Sequence, residues 1–185
     1  MTNWDILKKV TILFLGWRIV LVIITFYGVN IFPTLDPEAK IYIKPTAAGY
    51  WENWSNWDSL HLLAVAQYGY VENRTPFFPL YPILIRALNF AGLDLFWSGF
   101  LIAQIATVAA LFFLYKLVSL DFGEETAKRT TMLLLIFPTS FYLGALYSES
   151  LFLAFTLSSF YFARKKSWLL ASLLAGFSAV TRLIG

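Results

Sequence analysis

The chain has 185 residues, 59% hydrophobic and 19% aromatic but only 14% charged, with a mean hydropathy of +0.67. A soluble domain carries about 25% charged residues, so this composition argues against a water-soluble globular protein and for a membrane one. The net charge of +3, without any polar-spaced basic block, speaks against a nucleic-acid partner, and zero cysteines exclude disulfides and thiolate metal sites.

In chain order, Lys8 and Lys9 precede an apolar run over 10–32. That run can cross a bilayer core at roughly 20 residues, exceeds a signal-peptide h-region and lacks a small-residue cleavage site, so it reads as a retained first span. Arg18 lies inside it; snorkelling and pairing within a helix bundle are both open to it. A loop over 33–97 follows, well above ordinary connection length and rich in Trp, Tyr, Phe and Leu, as functional loops often are. Trp51, Trp54, Asp58, His61 and Val65 recur at spacings of three and four, which predicts an amphipathic helix. A second helical pattern over 83–96 puts Leu84, Leu88 and Leu95 near one face. Both helices are expected in the outer interface, with the tryptophans as an aromatic belt. Pro76, Pro79 and Pro82, between aromatic and aliphatic flanks, predict a rigid turn.

The second apolar run covers 98–120. Two shorter ones, 130–147 and 150–163, are near the lower limit for a span, which suits a tilted or partly re-entrant hairpin. A fifth run over 168–185 reaches the end without cap or polar tail, the mark of a fragment of a longer polytopic protein. Lys8 and Lys9, then Lys116, Lys128 and Arg129, then Arg164, Lys165 and Lys166 all fall on one side of these spans, which the positive-inside rule makes cytoplasmic. Lys40, Lys44, Arg74 and Arg86 are spread thinly over the other side. The expectation is therefore an all-α polytopic membrane protein forming one domain over 1–185. It has about five transmembrane helices, a cytoplasmic N-terminus and a long first extracytoplasmic loop over 33–97 carrying the interfacial helices.

On this topology polar residues from distant segments converge on the outer face. Asp58 and His61 come from the loop, Tyr147, Ser148 and Glu149 from the turn "LYSES", and Arg182 from "TRLIG". Ionisable groups at membrane depth are costly and point to function. Each also has a plainer reading: Asp58 as an N-cap, His61 as a structural histidine, Glu149 as a cap of the fourth span and Arg182 as a snorkelling arginine. No spacing calls for a metal, although the carboxylates could form an oxygen-rich divalent site, and no cofactor is indicated. Phosphate-loop and dinucleotide fingerprints are missing from the sequence. A lipid-linked donor delivered to the outer face fits better: an arginine can hold its phosphate, and a carboxylate can take a proton from an acceptor hydroxyl.

Four segments, "NWDSLHLLAVAQYGY", "TPFFPLYPILIR", "FPTSFYLGALYSESLF" and "LLAGFSAVTRLIG", together resemble the PIG-V-like mannosyltransferases of the GT-C class. The family pattern of Trp-Asp, a His three residues after the Asp, and Gly-Tyr matches Trp57, Asp58, His61, Gly69 and Tyr70. Its Phe-Phe-Pro matches Phe77, Phe78 and Pro79, and its Tyr-Ser-Glu matches Tyr147, Ser148 and Glu149. Ile184 stands where the family carries asparagine, and Leu62 where an aromatic is common. The resemblance implies a GT-C-like fold. It also implies transfer of mannose, or a related sugar, from a polyprenyl-phosphate donor to a lipid-linked glycan acceptor, with inversion. It makes Asp58 the catalytic base, and His61, Tyr70, Glu149 and Arg182 the substrate-binding residues, Arg182 toward the donor phosphate. Such a protein works among membrane lipids without nucleic acid, in a prokaryotic plasma membrane or, in a eukaryote, the ER membrane. The competing reading is a non-catalytic subunit or scaffold of a glycan-assembly complex, with Asp58 a cap and the loop a docking surface.

Overall fold

The computed structural model describes residues 2–31, 49–71 and 74–182; Lys40, Lys44 and the Leu183-Ile184-Gly185 end of the last motif lie outside the described residues. The regular structure among them is helical. Helix α1 (Asn3–Ile31) opens on a reciprocal cap in which Thr2 Oγ1 donates to Asp5 Oδ2 at 2.7 Å and Asp5 N donates to Thr2 Oγ1 at 3.2 Å. At 1.5 Å per residue α1 is about 43 Å long, more than the ~30 Å hydrocarbon core requires.

The 51–65 segment differs from its predicted single helix. Gly49–Trp54 forms a 3-10 turn and α2 runs Asp58–Tyr68. The break falls at Trp57, whose φ of 50° is left-handed backbone that interrupts a helix. Nor does α2 lie on a surface. Leu62, Leu63 and Ala66 are buried, packed against Tyr81 and Ile85 of α3 (Leu80–Phe90) and against Phe96 and Leu146. The predicted 83–96 helix also divides. α3 ends at Phe90, and Asp94 caps the next helix by accepting from Phe96 N at 2.9 Å. Pro79 stands at the entry to α3 and Pro82 in its first turn, where proline is tolerated because no helical N–H partner is lost.

Helix α4 (Leu95–Ile136) contains the second and third apolar runs as two limbs, joined at Gly123 with φ 80° and ψ 170°. The limbs fold back on each other. Leu111 and Tyr115 share a core with Ala127 and Leu135, and Thr107 Oγ1 donates to Leu143 O at 2.6 Å. Beyond Ile136 the third run loses its regular form in a 3-10 turn (Pro138–Ser140) and the short α5 (Phe141–Gly144), which meets α6 (Glu149–Arg164) at 95°. This bent pair stands where the two short runs suggested a tilted or partly re-entrant hairpin; Pro138 supplies no N–H to carry the helix through. The fifth run forms α7 (Trp168–Ala179), about 18 Å long. Among the described residues two helices are individually long and apolar enough to cross a membrane, or three if the bent pair counts as one span. That is consistent with a polytopic membrane protein, and the expected five spans are not all reached by helix length.

Contacts define two ends. At one, Lys116 Nζ donates to Asn3 Oδ1 at 2.8 Å and Arg164 pairs with Asp121, which gathers the start of α1, the Gly123 bend and the end of α6. At the other, Leu80 N donates to Val180 O at 3.1 Å and Leu146 N to Trp54 O at 2.8 Å. The tryptophans do not act alike. Trp54 is only 4% exposed and Trp51 packs edge-on against Trp97 and Phe100, whereas Trp4, Trp57 and Trp168 are exposed, as a belt requires.

Candidate active site

The turn at Trp57 decides how Asp58 is presented. Ser59 N bonds to Asn56 O and Leu60 N to Trp57 O, so backbone carbonyls tie the helix start. Trp57 is the capping residue and makes no side-chain cap bond. Asp58 is thus the first helical residue rather than the cap. Its carboxylate is exposed and favoured there by the helix dipole. Ser59, one residue on, points the other way. It is fully buried, and its Oγ donates to Leu146 O at 2.6 Å.

That bond fastens α2 to the turn after α5. Tyr147, in the turn outside both flanking helices, donates its hydroxyl to Asn56 O at 2.8 Å and packs edge-on against Tyr142. Burial pushes its phenol up to about 12; the Ser59 hydroxyl opposes this, while Tyr142 and the carboxylates of Asp58 and Glu149 add to it. Both carboxylates therefore reach Tyr147 electrostatically. Glu149 is the first residue of α6 behind Ser148 and forms an ion pair with Arg182 just beyond α7. Its second oxygen is buried without a hydrogen-bond partner among the described residues. Glu149 is thus an ion-pair partner of Arg182.

His61 and Tyr70 meet at Phe77. The imidazole stacks on the Phe77 ring at 4.9 Å and 17°, and Tyr70 donates its hydroxyl to Phe77 O at 2.6 Å. Partial burial raises the Tyr70 phenol above its ordinary value. The segment after α2 is folded back so that the Phe-Phe-Pro motif covers one side of that helix. Asp58, Tyr147, Glu149 and Arg182 form one group, and His61 with Tyr70 a second, one helical turn along from Asp58.

A sequence model of the family described as Mannosyltransferase (PIG-V) matches residues 2–185. The chain belongs to the PIG-V mannosyltransferase family. It is 30% identical over 142 residues to the human protein GPI alpha-1,6-mannosyltransferase 2, a match that covers 69% of this chain and 28% of that protein. The chain thus spans less than a third of the length of this curated relative. No solved structure matches.

Within this PIG-V chain the motif residues are joined through contacts that sequence reasoning missed. Asn56 and Ser59 hold the "LYSES" turn, Trp54 receives Leu146 N, and Phe77 joins His61 to Tyr70. Ser59 beside Asp58 carries no local signal of a partner 87 positions away. Among the described residues no three His, Asp or Glu side chains gather as a metal site would require. The PIG-V group offers an exposed carboxylate and a half-exposed guanidinium on one end of the bundle.

Proposed function

We propose that this chain carries the reacting face of a GT-C-type mannosyltransferase that moves mannose from a polyprenyl-phosphate donor to a hydroxyl of a lipid-linked, GPI-related glycan on the extracytoplasmic side. The observation that carries the reading is Asp58: exposed, uncommitted to capping and beside the turn that bears Tyr147 and the Glu149–Arg182 pair. As base, Asp58 takes the proton of the acceptor hydroxyl. The freed oxygen forms a bond to the anomeric carbon while the bond from that carbon to the donor phosphate breaks, with inversion. The phosphate oxygen leaves with the bonding pair, and Arg182 meets its charge. A guanidinium has five N–H donors, so the ion pair with Glu149 orients Arg182 and leaves donors for the phosphate. His61, on its Phe77 platform, faces the sugar or phosphate.

Membranes bearing the full-length protein are expected to transfer labelled mannose from polyprenyl-phosphate-mannose to lipid acceptor. Asp58→Asn is expected to lower that rate by about 10²–10⁴-fold at unchanged expression. Undiminished transfer by this variant would sink Asp58 as the base.

A further inference from the structure

Arg18 stands within the long apolar α1, where a guanidinium is costly unless its surroundings hold it. Its Cζ lies 3.8 Å from the centroid of the Trp54 ring and 4.9 Å from that of Phe100. Nη1 donates to Gly144 O at 2.8 Å, and Gln104 Nε2 donates to the same carbonyl at 3.0 Å. Gly144 closes α5, so its carbonyl lacks a helical partner and sits at the negative end of a helix dipole. The approach is close: a Cβ on Gly144 would lie 2.5 Å from Nη1 and 3.0 Å from the Trp17 ring. Among the described residues no carboxylate forms an ion pair with Arg18. Besides the Phe100 ring, its contacts are the Trp54 indole and the Gly144 carbonyl.

Those two contacts lead to the two halves of the site. From Trp54 the chain runs through Asn56 to Asp58. From Gly144 it runs through Leu146 and Tyr147 to Glu149. We propose that Arg18 is a positioning residue, clamping the Trp54 indole to the Gly144 carbonyl and thereby fixing the Asp58 segment against the bend that bears Tyr147 and Glu149. Arg18 touches neither half's reacting groups and acts through where they are held. Its effect on turnover rests on the reading of Asp58 as base; the clamp itself does not.

The 185 residues carry no cysteine, so spin labels at Gln67→Cys and Thr139→Cys, both exposed, can report the distance between α2 and the broken segment in the full-length protein, cysteines elsewhere replaced. Arg18→Met and Gly144→Ala, the second of which displaces the guanidinium without removing it, should each broaden the distance distribution. Both should lower kcat by about 10- to 100-fold at unchanged donor KM, and Arg18→Lys should recover part of both. A distribution as narrow in Arg18→Met and Gly144→Ala as in the parent overturns the clamp, and broadening without loss of kcat overturns its positioning role in turnover. If the parent transfers no mannose yet the variants broaden the distance, the functional reading fails and the clamp stands.

Discussion

At the scale of single residues, the site is a set of side chains whose neighbours in sequence face opposite ways. Asp58 is exposed while Ser59 is sealed in the core, so one hydrogen bond from Ser59 aims its neighbour. Tyr147 gives this end of the molecule an alkaline limit. Its phenol rises from 10.0 to about 12 on folding, so the folded state keeps a proton that the unfolded chain releases. The resulting stabilisation is complete below pH 10 and is lost as the pH rises through the folded value. Tyr147→Phe should therefore flatten the fall in melting temperature between pH 10 and 12, measured in detergent, while costing about 1 kcal/mol at neutral pH for the bond to Asn56. An unchanged alkaline slope in the variant would show that other groups set it. The candidates at this scale were legible because carboxylate, imidazole and guanidinium are rare in so apolar a chain. Their partners were less so: Asn56 and Ser59 are ordinary residues whose role comes from contacts across the fold, and Phe77 was visible as a motif residue but not as the platform that joins His61 to Tyr70.

Among elements, the sequence pattern misled where a turn kept helical spacing. Trp51, Trp54 and Asp58 continue an i, i+3, i+4 series across a break that depends on the backbone of Trp57, and periodicity does not register a single left-handed residue. The irregular end of the third run was better signalled, because a run near the lower limit for a span suggested a tilted or partly re-entrant course. Gly123 is the hinge of the α4 limbs, at φ 80° and ψ 170°, a region essentially reserved for glycine. Gly123→Ala should lower stability by about 1–3 kcal/mol, read as earlier thermal unfolding and faster proteolysis after Asp121. Equal stability would mean that the hinge relaxes without strain.

For the whole molecule, the Lys116 and Arg164 contacts and the candidate site occupy opposite ends. Asn3, Lys116, Asp121 and Arg164 meet at one end, and Trp54, Leu80, Tyr147 and Val180 at the other. If the basic end is cytoplasmic, a membrane-impermeant maleimide should modify Gln67→Cys in sealed right-side-out membranes and Thr126→Cys only after permeabilisation. The reverse pattern would invert the assigned sidedness and remove the extracytoplasmic reaction. The placement of Lys and Arg at the ends of apolar runs was legible in the sequence, whereas the folding of α2 and α3 into the core was not, because it depends on the close packing of Leu62, Ile85 and Leu146. The Glu149–Arg182 pair has a consequence for biosynthesis. Glu149, at the head of α6, is translated before its cation, and at roughly 5–20 residues per second the ribosome takes a few seconds to supply Arg182. Until then the Glu149 carboxylate has no cation from beyond α7 to pair with, so this end of the bundle closes only once α7 has been made.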